Sequence, residues 1–338
     1  MKFNKQFCLK IILVLSLTLI AGFLGNSVQA NSGGAEFSVV RDQPANQVDA
    51  TKPYFDLNLK PNQITNFKIT ISNDSNASND FEVYANNAVT NQNLIIDYSP
   101  NKDQASQLVD KTYDFQKLVS PQKTKVTIKP HSSKQVEFKV KMPAEKFDGE
   151  LLGGIYVRKT LKSHAENGYT NRFNFVTSVL IHENDQKTVP NLKLKKVDLE
   201  TSPVNNQLQV KLQNSAMVYA NNLDVDAKVY NHQNKQVLAV NNTSRSIAPN
   251  SQFDYLIPLN KQHLKSGKYS LDLNIKDAKT GKTWHFEKNF VVSQQKSIQS
   301  TDAYKTISTV PVWYYIFGVL LLLIVILLIV LIFKRKKK

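Results

Sequence analysis

The stretch KMPAEKFDGELLGGIYVRKT, Lys141 to Thr160, decides between two fold classes. It contains Gly149, Gly153 and Gly154. A nucleotide-binding α/β protein sets such glycines before a Lys-Ser/Thr pair and a helix. Here Ile155, Tyr156 and Val157 follow instead and continue as a strand. Pro143 ends the strand before, because proline has no N–H for a sheet ladder. Asp148-Gly149 is a hairpin turn signal. The stretch therefore reads as strand, turn, return strand. A glycine pair inside a strand marks a bulge, or a close approach by another backbone or a ligand. Gly153 and Gly154 are thus the candidate partner-binding residues. Either they relieve a tight crossing within their own domain, or they leave a flat surface for a partner chain.

Outward from this stretch the same period-two pattern recurs. KQVEFKVKMP turns Val136, Phe138, Val140 and Met142 inward, and NFKITIS does so with Phe67, Ile69 and Ile71. LDVDAKVY alternates Leu223, Val225, Ala227 and Val229 with charged residues. YSLDLNIKD, the turn DAKTGK and TWHFEKNFVV follow, with Trp284, Phe286 and Phe290 on one face. Between the runs lie NDSNASND, SPVNNQ, YNHQNKQ and APNSQ, whose Asn, Asp and Ser favour turns. NDSNASND reads as a hairpin loop. Many short strands and no long amphipathic helix predict an all-β protein of antiparallel, Ig-like sandwiches. About 280 residues between the two ends suit two domains. The polar RKTLKSHAENGYTNR sets their boundary. The expected sandwiches are 37–159 and 171–293, with a stalk at 294–311.

The ends read as targeting. Lys2, Lys5 and Lys10 precede IILVLSLTLIAGFLG and the small-residue site at Ala30, which predicts a signal peptide at 1–30. The only cysteine, Cys8, lies before the apolar run, so cleavage leaves a chain without disulfides. Its stability then rests on packed cores, as suits Gram-positive export. Val312 to Phe333 carries no charge, begins with Trp313, Tyr314 and Tyr315, and is followed by KRKKK. That predicts a transmembrane helix at 312–333 and a cytoplasmic basic tail at 334–338. No LPxTG-like motif precedes it, so the expected protein is single-pass in the plasma membrane, not wall-linked. The net charge is +16; five positives are the tail and three the N-terminus, leaving +8 outside. This suits contact with anionic wall polymer or headgroups rather than nucleic acid.

No catalytic set is legible. The six histidines form no HExxH, and there is no GxSxG elbow. No cofactor or metal site is expected; Asp224 and Asp226 share a strand face but make too few ligands for calcium. A wall hydrolase would need paired acids or a metal. Tyr54, Tyr84, Tyr98 and Tyr113 are candidates for stacking on sugar rings.

Several segments together resemble the WxL-interacting proteins of Gram-positive bacteria. They are Phe37–Asn73, NNAVTNQNLIIDYSP (Asn86–Pro100), MPAEKFDGELLGGIYV, NRFNFVTSVLIHEND with VPNLKLKKV, and GKYSLDLNIKDAKTGKTWHFEKNFVVS. The resemblance covers nearly the whole chain. It implies a peptidoglycan-binding domain, a host-binding domain, one membrane helix, and a non-enzymatic role in holding WxL-domain proteins. The alternative it carries is an adhesin for host or plant matrix ligands. One departure is TNQNLIIDY, where the family often has a turn glycine in TNxNG. Asn93 can adopt positive φ, which would let the turn survive without that glycine.

Overall fold

The computed structural model describes residues 34–160, 172–201, 206–259, 262–299 and 312–336. Two sandwiches follow one another. In the first, one sheet runs β1 (Phe37–Arg41), β3 (Ile64–Asn73), β9 (Ser132–Lys141), β7 (Val119–Ser120). The facing sheet runs β2 (Phe55–Asn58), β11 (Asn174–His182), β10 (Leu151–Lys159), β4 (Asn79–Asn87), β8 (Lys123–Ile128). The alternation seen in the sequence is what closes them: Phe67, Ile69 and Ile71 meet Phe55, Phe81 and Phe138, all buried. Phe67 stacks on Phe138 at 5.4 Å.

Two expectations are corrected here. The strand Asn174–His182 lies beyond the expected boundary, yet it pairs with β10 over eight residues and, in parallel, with β2. Its Val179 and Ile181 complete the first core, so that sandwich reaches past residue 159. The second correction concerns the turns. β9 and β10 do not pair with each other, so AEKFDG is a crossing between sheets and not a hairpin. NDSNASND likewise joins β3 in one sheet to β4 in the other.

A buried asparagine fixes that corner. Asn73 Nδ2 donates to Ala77 O at 2.8 Å, Ile128 O at 3.0 Å and Lys129 O at 3.1 Å. Burying an amide requires such partners. The second sandwich repeats the device: Asn214 Nδ2 donates to Val218 O at 2.8 Å and Ala248 O at 3.0 Å.

The second sandwich has β12 (Leu192–Thr201), β13 (Asn206–Asn214) and β16 (Ser251–Pro258) in one sheet. The other runs β15 (Gln236–Ile247), β14 (Ala220–Asn231), β17 (Gly267–Asp277), β18 (Thr283–Val292). DAKTGK is the expected turn, with Gly281 at φ 76°. Residues 294–299, the described part of the expected stalk, are helical. Lys296 Nζ there lies 2.5 Å from Asp198 on β12. The rest of the stalk, the signal segment 1–30 and the polar stretch 161–171 lie outside the described residues. A 25-residue helix spans Val312–Lys336 and is uncharged up to Lys334. At 1.5 Å per residue it is about 37 Å long.

Candidate functional site

The outer face of the five-stranded sheet carries the residues that alternate with the core. On β4 these are Glu82, Tyr84 and Asn86; on β10, Leu152, Gly154, Tyr156 and Arg158. The register sets Tyr156 opposite Tyr84 and Arg158 opposite Glu82, and puts Lys123 of β8 across from Tyr84. One end of this face is covered. Leu152 and Leu180 are buried there with Ala88 and with Ala248 of the second sandwich, and Tyr54, Tyr98 and Tyr219 pack around them.

The other end is open. Arg158 Nε and Nη2 donate to Glu82 Oε2 at 2.8 and 2.6 Å, and Nη2 also donates to the Tyr84 hydroxyl at 3.1 Å. Lys123 Nζ sits 3.2 Å from Glu82 Oε1. The Tyr84 ring lies edge-on to Tyr156 at 6.3 Å, and Lys123 Nζ and Arg158 Cζ approach its centroid at 4.9 and 5.3 Å. Cations near an aromatic ring are held by the ring quadrupole. Val176, opposite Tyr156 on β11, is 40% exposed. Tyr156 itself is buried and Tyr84 half-buried, so what reaches solvent is the Tyr84 ring edge with an amine, a guanidinium and a carboxylate around it. Such a patch can stack on a pyranose and hydrogen-bond its hydroxyls and amides.

Hydrogen bonds from Arg158 hold the Glu82 carboxyl down to about 2. Because the folded value is depressed, the stability this group contributes is full above the ordinary carboxylate range. It is lost progressively as pH falls from that range through about 2, so the patch keeps its charge pattern at any physiological pH.

Glu150 behaves oppositely at the covered end. Its N–H donates to Met217 O of the second sandwich, and its Oε2 is buried without a hydrogen-bond partner. Burial pushes the carboxyl up; His182 opposes this and Asp56 adds to it. His182 Nε2 and Asp56 Oδ1 are 3.1 Å apart. A raised acid stabilises the fold below its unfolded value, and that stability is lost as pH rises through the folded one. Glu150→Gln is therefore expected to raise the melting temperature near neutral pH and to leave it unchanged in acid. Melts of both proteins across that range check it; an equal shift at every pH would contradict it.

The sequence-predicted residues fall as follows. Gly153 and Gly154 are buried in β10 with no register break on either side. A side chain at Gly153 would run into the ring of buried Phe115, and one at Gly154 would stand 2.6 Å from Tyr98 Cδ1. The chain's own rings fill the space, so neither bulge nor flat partner surface is present there. Tyr54 and Tyr98 are at the covered end, and Tyr113 is in the core against Phe147 at 5.1 Å. Of the four tyrosines named, Tyr84 stands in the open patch. Asp226 pairs with Lys228 at 3.0 Å. Among the described residues no group of three or more His, Cys, Asp or Glu could hold a metal ion. Tyr156, Arg158, Glu82 and Lys123 were not legible as a set. IYVRK places Tyr156 and Arg158 on one face, but nothing local shows that β4 and β8 lie beside them.

The fold is that of a mostly β chain of two successive sandwiches. Residues 37–159 match the domain described as WxL Interacting Protein, peptidoglycan binding domain, and residues 165–301 match its host binding domain. The chain belongs to the WxL-interacting protein family. Both matched domains are described as binding domains. No curated protein matches the sequence. Among solved structures, the Salmonella enterica SafA pilin–SafB chaperone complex is similar at 12% identity. It covers 77% of this chain and 98% of that one, with a TM-score of 0.29. The E. coli chaperone DraB is similar at 16% identity, over 76% of this chain and 97% of its own, with a TM-score of 0.28.

Proposed function

We propose that this chain is a non-enzymatic, membrane-anchored surface protein that tethers WxL-domain proteins and contacts peptidoglycan. The patch of Tyr84, Arg158 and Lys123, with buried Tyr156 beneath it, is the peptidoglycan contact. One observation carries this: the half-buried Tyr84 ring, flanked by the more exposed Arg158 and Lys123, falls inside the domain whose family is described as peptidoglycan-binding. Co-sedimentation of purified ectodomain with cell-wall sacculi tests it. Tyr84→Ala is expected to weaken retention roughly three- to tenfold, the worth of one aromatic contact. Unchanged retention, with the fold intact by circular dichroism, would move the contact elsewhere.

The helix Val312–Lys336 supports the anchor. Its apolar run is long enough for a bilayer core, aromatic residues begin it, and lysine and arginine end it. The ectodomain then lies on the wall side and the tail in the cytoplasm. Deleting residues 312–338 is expected to move nearly all of the protein from the membrane fraction to the medium. Persistence in the membrane fraction would reject the anchor. Tethering is tested by capture of purified WxL domains on the ectodomain, and failure with every such domain from the same cell would reject it. A second reading, adhesion to a host or plant matrix ligand, is favoured by the host-binding match at residues 165–301.

A further inference from the structure

The hairpin of β5 (Val89–Thr90) and β6 (Ile96–Asp97) belongs by sequence to the first domain and by packing to the second. At its tip Leu94 is 0% exposed, within the core of the second sandwich. Leu94, and not Asn93, holds the positive φ of the turn, at 57°. The left-handed region is costly for a side chain of this bulk. The turn closes through Asn91, whose Oδ1 accepts from Asn93 N at 2.9 Å and Ile95 N at 3.1 Å.

The hairpin lies against β15 and β16, which are edge strands of the two facing sheets. Ser246 N donates to Leu94 O at 2.8 Å, Leu256 N to Gln92 O at 3.0 Å, and Ala248 N to Thr90 Oγ1 at 2.9 Å. Ile96 N donates to Ser246 Oγ at 2.9 Å. Unpaired edge amides of the second sandwich are thus satisfied by the first domain's chain. Beyond the hairpin, Asn250 Nδ2 donates to Asp110 O and its Oδ1 accepts from Asp110 N, both at 2.7 Å. The exchange is reciprocal, because Met217 of the second sandwich packs against the first core.

We infer that the side of the second sandwich between β15 and β16 is an acceptor groove, filled in cis by the hairpin at residues 89–97, with Leu94 as its plug. The second domain is therefore completed by the first and does not stand as an independent module.

Hydrogen exchange on the intact ectodomain tests this with Leu94→Gly. Glycine relieves the backbone at φ 57° but removes the plug. If Leu94 serves the turn alone, Leu94→Gly leaves exchange unchanged or slows it. If Leu94 plugs the groove, the amides of Ser246, Ala248 and Leu256 exchange roughly tenfold faster or more, while those of β9 and β10 do not change. Leu94→Met, which keeps the bulk, is expected to stay near wild type. Unchanged exchange at the three amides in Leu94→Gly, or equal acceleration in both sandwiches, would overturn the inference.

Discussion

Gly153→Val is expected to cost the first sandwich about 3 kcal/mol or more, the upper end for overpacking a core. For a chain of this size that is a fall in melting temperature of roughly 6–12 °C. The reason is local. The strand is central in its sheet, with β11 on one side and β4 on the other, so the backbone cannot shift without breaking two ladders. Above it the Phe115 ring occupies the place of the missing side chain. That ring is 0% exposed and sits on the helical turn Phe115–Leu118. The turn is tied down by Asp114, whose Oδ1 accepts from buried Asn87 Nδ2 at 2.8 Å. Neither wall of the contact can yield cheaply. A partial rescue by Phe115→Leu in the double variant is expected, because the shorter side chain vacates part of the ring's volume. Thermal unfolding of the three variants measures this. A Gly153→Val protein melting with wild type would show that the ring moves freely, and would reopen a role for the glycine in binding.

How the chain encodes this was readable only in part. Alternation marks which residue of a strand is buried, because successive side chains take opposite faces. So Phe67, Phe138, Val225 and Leu273 were legible as core. Alternation does not say which strand lies beside which. That is why Asn174–His182, with no local mark of ownership, reads in the sequence as part of the second sandwich, and why two sheet crossings read as hairpins. Asn73 and Asn214 look like ordinary turn residues in the sequence, while their role depends on carbonyls up to 56 residues away. The open patch was half legible: Tyr84 stood out as an aromatic, but Arg158 and Lys123 gain their meaning from strands joined only in the fold. Leu94 is the clearest case of tertiary override. A local rule gave the turn's positive φ to asparagine, and the buried groove of another domain gave it to leucine.

Gly149→Ala is expected to be as damaging as Gly153→Val, but at the junction and not in the core. Gly149 sits at φ 107°, a conformation that a side chain enters only with strain. An added Cβ would overlap the Met217 carbonyl oxygen and stand 3.2 Å from Thr188 Oγ1. That carbonyl already accepts the N–H of Glu150, so pushing it away strands a donor at the contact between the sandwiches. Strain of about 1–3 kcal/mol and a lost hydrogen bond leaving a group unsatisfied, about 1–3 kcal/mol, together make roughly 2–6 kcal/mol. The two losses fall on the same contact. The hairpin carrying Leu94 and the pair Asp110–Asn250 still bridge the domains, so the junction should loosen before it parts. In Gly149→Ala, amide protection should therefore drop at Glu150 and around Asn250 while β3 and β9 stay protected. In Gly153→Val the order should reverse, with the first core failing first. If Gly149→Ala instead lowers protection in β3 and β9 as much as at Glu150, the crossing between the sheets is part of the core, and the glycine serves its own sandwich rather than the contact with its neighbour.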